Sequence, residues 1–258
     1  MATPQDRQAR IEKVHVGTMG WSYRFWSGRL YPKGLKPKEF LTEYAKHFNS
    51  VELDNTFYKT PSSSTVKGWK EQTPEGFKFS AKFPRLITHV KRLQNCEKEV
   101  DLFISSMSQL QTKLGPLLLQ FPSTFGCRQL PSLQSFLLSL PKSCRYAVEV
   151  RNKSLLGEKL YSILRESRVA FALTGQLSAS LVEETTADFA YVRWQGDRGK
   201  VTGTLGKTEV DRAEDMRKWA EKIAVLLNRG LEVFGYFSKY YSGYPPDDAE
   251  QFLRLLSL

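Results

Sequence analysis

Charged and polar side chains alternate with apolar ones in several short stretches of this sequence. Glu52 and Asp54 do so in one stretch, and Glu149 and Arg151 in another. Because successive side chains of a β-strand point to opposite faces, the members of each pair would share one face. Neighbouring carboxylates can carry out general acid–base chemistry, and a lysine or arginine beside them can bind a phosphate or a carboxylate.

The same alternation assigns other polar side chains to the interior face of predicted strands. It predicts that seven of them converge where the strands end: Glu52, Asp54, Lys82, Gln120, Glu149, Arg151 and Arg193. A buried cluster of mixed charge is stable only if its members are paired or hydrated. The cluster is therefore interpreted either as a ligand site or as ion pairs, Glu149 with Arg151 and Glu52 with Lys82, that fill the interior.

Individual roles follow from side-chain chemistry. Glu52 and Glu149 are the candidate catalytic acid and base, and His89 is a candidate proton carrier or, alternatively, a cap for backbone groups. The candidate substrate-binding residues are Lys82, Arg151, Arg193, Gln120, Tyr23, Tyr58, Trp194 and Lys239. Glu52, Asp54 and Glu149 are alternative ligands for Mg²⁺ or Mn²⁺. Three histidines are too few for a histidine-rich zinc cluster.

The elements that must position these residues alternate along the chain. Strands are predicted at 14–19, 51–54, 77–82, 116–121, 146–151, 169–174, 189–194 and 231–238. Helices are predicted at 37–48, 63–72, 97–113, 130–140, 157–167, 177–184, 209–227 and 246–256. This alternation implies parallel strands, and eight such units close into a (β/α)₈ TIM-type barrel. An open doubly wound sheet is the alternative, but no GxGxxG motif follows the first strand.

Composition places the chain in a broad class. It has 258 residues and a net charge of +11, from 38 Lys+Arg and 27 Asp+Glu. We expect a flexible segment at 1–13 and a single barrel domain at 14–258, with a mobile glycine-rich loop at 195–207. The three cysteines form no CxxC motif and no apolar run is long enough for a membrane span, which predicts a cytoplasmic protein without a membrane partner.

Seven motifs, taken in order, resemble a known family. They are GTMGWSY at 17–23, VELDNTFY at 51–58, FSAK at 79–82, PR and ITH within 84–89, KLGP at 113–116, QFP at 120–122 and AVEVR at 147–151. Together they are similar to the YecE-like family, number seventy-two among the domains of unknown function. The resemblance implies a TIM barrel, and the family's likeness to the endonuclease IV barrel implies nucleic-acid binding. The sequence departs from the family at Thr174 and at Ser238-Lys239.

Three classes of function stay open on the sequence alone. The basic charge, the inward cations and the nearby aromatic residues favour a phosphate-bearing ligand, with DNA or RNA binding or phosphodiester hydrolysis as the best interpretation. A lyase, isomerase or hydrolase acting on a sugar or sugar phosphate is the first alternative. A non-catalytic binding scaffold is the second. No GxSxG motif supports a serine nucleophile.

Overall fold

Eight strands form a closed parallel barrel in sequential order, which confirms the predicted fold class. The computed structural model describes residues 12–175 and 184–256. The strands are β1 (Val14–Met19), β2 (Ser50–Leu53), β3 (Lys78–Lys82), β4 (Leu114–Gln120), β5 (Tyr146–Glu149), β6 (Ala170–Thr174), β7 (Phe189–Trp194) and β8 (Glu232–Phe237). Each lies within three residues of its predicted bounds.

Helices follow most of the strands. In the described part of the chain they are α1 (Phe40–Tyr44), α2 (Ser63–Glu71), α3 (Glu97–Met107), α4 (Leu130–Ser139), α5 (Glu158–Ser167), α6 (Ala213–Asn228) and α7 (Pro245–Leu255). A single π-helical turn, Leu86–Val90, follows β3. The helix predicted at 177–184 lies, except for its last residue, outside the described residues. No helix in the described ranges is long and apolar enough to cross a membrane.

Contacts along the chain divide it into two compact units. The first comprises the described residues within Met1–Val51, Leu173–Glu183 and Phe189–Leu258, and the second comprises Glu52–Ala172 and Glu184–Asp188. The predicted flexible segment at 1–13 lies outside the described residues except for its last two. The prediction of one domain at 14–258 stays a prediction.

Trp194, predicted to bind substrate, is instead a core residue of the first unit. Its side chain is only 1% exposed. Its ring stacks on Phe237 at a centroid distance of 4.1 Å and contacts Trp219 of α6 and Phe252 of α7. Because it ends a strand with its ring turned toward the helices, burial of apolar area decides its position. We therefore leave Trp194 out of the candidate site.

The glycine-rich stretch at 195–207 is followed closely by an anchoring residue. The Glu209 carboxylate accepts hydrogen bonds from the backbone N–H groups of Thr202 and Gly203, both at 2.8 Å. The backbone N–H of Glu209 in turn donates to the carbonyl of Ser242 at 2.6 Å. These bonds join the segment after β7 to the segment after β8.

A buried carboxyl group reinforces the segment after β8. Asp248, in the first turn of α7, accepts a 2.6 Å hydrogen bond from the Ser242 hydroxyl. Burial raises the pKa of Asp248 to about 7, Asp247 adds to the effect, and the Ser242 hydrogen bond and the Arg212 guanidinium oppose it. The folded protein therefore favours the protonated carboxyl group.

Asp248→Asn should change how stability depends on pH. The raised pKa means that the stability contributed by this group is complete below about pH 4 and is lost as the pH rises through about 7. The full effect is on the order of 4 kcal/mol. Between pH 5 and 8, thermal unfolding should show that Asp248→Asn loses less stability with rising pH than the unmodified protein does. The control Asp101→Asn, at an exposed position, should lose as much as the unmodified protein. Equal pH slopes for all three proteins would contradict the assignment.

Candidate functional site

Parallel strands bring four of the predicted residues to one end of the second unit. Glu52, Lys82, Gln120 and Glu149 are all buried, on β2, β3, β4 and β5 respectively. A hydrogen bond joins the Gln120 and Glu149 side chains, which agrees with the prediction that both lie on one face. Two further predicted residues lie just beyond the strand ends, where Asp54 is half-buried and Arg151 is exposed.

Strand register sets the geometry around Glu149. Gln120 pairs with Glu149 across β4 and β5, so their side chains lie next to each other. The Gln120 Nε2 group donates to Glu149 Oε1 at 2.6 Å, and Arg151 Nε lies 3.6 Å from the same oxygen. The carboxylate is therefore held in place by an amide and faces a cation that reaches solvent. Such a group can orient the arginine or exchange a proton with a ligand.

Lys82 carries a buried positive charge that two neighbours stabilise. Its Nζ lies 3.8 Å from the centroid of the Phe57 ring and 3.8 Å from Asp54 Oδ1. A cation over an aromatic face gains about 0.5–2 kcal/mol, more as the pair is desolvated. Both neighbours come from the segment that follows β2, so this segment is placed against the end of β3.

Thr56 connects the ends of β2 and β3 directly. Its buried hydroxyl lies 2.8 Å from the carbonyl oxygen of Leu53 and 2.7 Å from that of Lys82. Two backbone acceptors therefore share one hydroxyl donor at the point where both strands end. This contact positions the short 3₁₀ turn Asn55–Phe57 that presents the Phe57 ring.

His89 lies on the π-helical turn after β3. Its Nδ1 is 2.9 Å from the Thr88 hydroxyl, which is 3.4 Å from the Pro84 carbonyl. The hydroxyl has one proton. If it donates to Pro84, it accepts from Nδ1–H; if it donates to Nδ1, the proton of the neutral ring is on Nε2. An edge contact with Phe57, at 5.0 Å between centroids, fixes the ring plane.

Three cations act on the His89 imidazole. Partial burial lowers the pKa of His89 to about 4, and the charges of Lys82, Arg85 and Arg151 add to this effect. The imidazole is therefore neutral near pH 7. A proton carrier works best with a pKa closer to neutrality, so the lowered pKa favours a role for His89 as a neutral ring in a positive environment.

The backbone that follows His89 adopts an uncommon conformation. Arg92, Leu93 and Asn95 have φ values of 51°, 69° and 49°, in the left-handed region that non-glycine residues rarely occupy. They directly follow a π-helical turn, which is itself rare and frequent at functional sites. Strain of this kind persists only where the surrounding structure enforces it, and it clusters at ligand-binding segments.

Tyr58 projects from the same unit into solvent. Its side chain is 83% exposed. Its ring meets Phe57 edge-on, at 5.3 Å between centroids and an interplanar angle of 81°. The predicted substrate-binding residue Tyr58 thus adjoins the aromatic ring that also contacts Lys82 and His89.

The remaining predicted residues belong to the first unit. Arg193 is buried, with a guanidinium nitrogen 3.5 Å from the sulfur of Met19. The Tyr23 hydroxyl donates to the Met19 carbonyl at 2.8 Å. Lys239 Nζ lies 5.9 Å from the Tyr23 ring and 5.1 Å from the Tyr240 ring. These residues form a cationic and aromatic group of their own.

The predicted divalent-metal site is not supported by the side-chain arrangement. Within residues 12–175 and 184–256, no group of three or more His, Cys, Asp or Glu side chains is placed to hold a metal ion. The physical reason is that cations already face two of the proposed ligands, Lys82 beside Asp54 and Arg151 beside Glu149.

Sequence reasoning missed four contributors to this site. Thr56, Phe57, Arg85 and Thr88 are not among the site residues that the sequence predicts. All four lie in the segments that follow β2 and β3, inside the TFY and PRLITH stretches. Polar and aromatic residues immediately after barrel strands are the signal that could have identified them.

Comparison with known proteins places the chain in a family. The family model described as "Protein of unknown function DUF72" matches residues 15–258, and the chain belongs to this family. The UPF0759 protein YecE of Escherichia coli K12 is 42% identical over 139 residues, which cover 54% of this chain and 48% of YecE. The match thus spans about half the length of each of the two proteins.

Two further proteins match over almost the whole chain. The UPF0759 protein YunF of Bacillus subtilis strain 168 is 23% identical over 281 residues, covering 95% of each chain. A crystal structure of a DUF72 family protein from Thermotoga maritima has a TM-score of 0.78 and 27% identity, and it covers 95% of this chain and 99% of its own. These matches agree with the barrel fold.

The protonation of His89 can be measured directly. NMR spectra of ¹⁵N-histidine-labelled protein, assigned with His89→Gln, should show a neutral His89 ring from pH 5.5 to 8, because its pKa is about 4. Arg85→Gln should raise the His89 pKa, since it removes one of the three cations. A midpoint near 6.5 in the unmodified protein, or no change in Arg85→Gln, would show that the cations do not act on the ring.

Thr56 should matter for stability through its hydroxyl group. Thr56→Val keeps the side-chain shape but leaves two buried carbonyl groups without this donor, so we expect a loss of about 1–3 kcal/mol in the free energy of unfolding. Thr56→Ser keeps the hydroxyl and should lose less. Urea denaturation of the three proteins tests this, and equal losses for valine and serine would assign the effect to packing instead.

Proposed function

We propose that this DUF72 protein binds a phosphate-bearing ligand, in the first place a nucleic acid, at the carboxyl ends of β2 to β5. The observation that carries the proposal is the grouping of Lys82 and His89 on the Phe57 ring, with the exposed Arg151 just beyond the end of β5. Arg85, four residues before His89, is also exposed. Asp54 and Glu149 lie beside Lys82 and Arg151, and an anion bound at the exposed guanidinium groups would add a further favourable charge contact. The ligand would meet the exposed guanidinium groups first and the buried ammonium group beneath them.

The chemistry of the cluster favours phosphate over a carboxylate. Arginine presents a planar fork of donors that matches two oxygens of a phosphate group. The net charge of +11 would in addition attract a polyanion over a distance.

The buried carboxylates support a further step, phosphodiester hydrolysis. Glu149 is held by Gln120 beside Arg151, so a phosphate bound to that arginine would lie near a possible general base. In that reaction water attacks phosphorus, Glu149 takes the proton and the ester oxygen leaves. The same fixed carboxylate supports the second candidate, proton transfer on a sugar phosphate. A loss of turnover in Glu149→Gln with unchanged binding would favour either reaction over a binding scaffold.

The binding proposal is tested with labelled single-stranded and double-stranded DNA and RNA. Arg151→Ala should weaken binding of the best of these ligands about tenfold at about 0.15 M salt. It should also make the slope of log K against log salt concentration less steep by about one, because one phosphate contact is lost. Fluorescence anisotropy across a salt series measures both quantities.

A charge-matched control separates this site from a generally basic surface. Arg217 is exposed on α6, so Arg217→Ala removes the same charge and should leave the affinity nearly unchanged. Equal losses in Arg217→Ala and Arg151→Ala, or binding that disappears by about 0.15 M salt, would mean counterion release without a site.

A further inference from the structure

We infer that the ligand is single-stranded nucleic acid and that one of its unpaired bases stacks on the ring of Tyr58. This inference rests on the proposed function and specifies that the nucleic acid is single-stranded. It begins with the exposure of Tyr58, which at 83% is the most exposed large hydrophobic side chain among the described residues. A ring in that position contributes little to folding, because it buries little apolar surface.

Although Tyr58 is exposed, its position is defined. Its backbone N–H donates to the carbonyl of Asn55 at 3.1 Å, which closes the 3₁₀ turn Asn55–Phe57. Its ring rests edge-on against Phe57. A tyrosine has only two side-chain torsions, so ordering it against a ligand costs little entropy. The exposed face of the Tyr58 ring is therefore pre-ordered for stacking against a planar group.

The Phe57 ring connects this surface to the phosphate site. Lys82 Nζ lies 3.8 Å from its centroid, and the rings of His89 and Tyr58 lie 5.0 Å and 5.3 Å from it. The Lys82 ammonium group, the neutral His89 ring and the exposed Tyr58 ring thus all contact the Phe57 ring. A phosphate and a base of the same strand need such an arrangement, in which a charge contact and a stacking contact are neighbours.

Two more exposed apolar side chains lie on the turn after β3. Leu86 and Val90 are 43% and 56% exposed, and they lie four residues apart on the turn that carries His89. A ligand that offered only phosphate would leave these side chains and Tyr58 unused. In a duplex, neighbouring base pairs cover the faces of each base, so stacking on Tyr58 would require unpairing. A single strand presents these faces at much lower cost.

Three ligands of one length test the inference by fluorescence anisotropy. They are a labelled single strand of mixed sequence, its duplex, and a strand in which abasic spacers replace the bases while the phosphates remain. The single strand should bind about tenfold more tightly than the abasic strand, because one stacked base is gained, and more tightly than the duplex.

Variants of Tyr58 assign the difference to its ring. Tyr58→Ala should lower affinity for the single strand about tenfold, to the level of the abasic strand. Tyr58→Phe, which keeps an aromatic ring, should bind the single strand as the unmodified protein does. Both changes are at an exposed position, so folding should be unaffected. Leu102→Ala, which shortens another exposed apolar side chain (63%), should have no effect.

The outcomes separate this inference from the function on which it rests. Equal binding of the intact and abasic strands, or of Tyr58→Ala and the unmodified protein, overturns the stacking inference; a loss in Arg151→Ala would then leave the phosphate site standing. No effect of Arg151→Ala on any strand overturns both. Competition by poly-glutamate as strong as that by the single strand would also overturn it, since the surface would then suit an acidic protein.

Discussion

The ammonium group of Lys82 is buried at the end of β3, and a charge in that position must be compensated for the fold to be stable. The compensation comes from the segment after β2, through the Phe57 ring and the Asp54 carboxylate. Thr56, between them, is hydrogen bonded to the same part of β3. The placement of this segment determines the rest of the site, because His89 and Tyr58 both rest on Phe57.

Charge around Glu149 is layered by depth. The carboxylate of Glu149 lies among buried groups and is held by Gln120, whereas the guanidinium group of Arg151 lies at the surface. A ligand that approaches this end of β5 from solvent therefore meets positive charge first, which favours an anion there. The order is reversed at β3, where Lys82 is buried and the Asp54 side chain is 47% exposed.

Much of the framework could be predicted from the sequence, because strand periodicity and strand–helix alternation are local signals. They predict that Lys82 and Glu149 lie at the strand ends, where the structure has both side chains buried. The interpretation of Trp194 as a substrate-binding residue rests instead on its place among aromatic residues near the strand ends, and the structure packs its ring against the helices. The sequence could not indicate the π-helical turn that carries His89 or the contact of that ring with Phe57, because this contact joins two separate loops.

The most direct test of this account is the pKa of His89 with and without ligand, measured by ¹⁵N-histidine NMR while a single-stranded oligonucleotide is added to saturation. A phosphate bound among Lys82, Arg85 and Arg151 would offset their charge. The His89 pKa should therefore rise above about 4 as the strand binds, and burial, the main cause of the lowered pKa, should keep it below the ordinary value. An unchanged His89 pKa at saturation would place the strand elsewhere and contradict the account.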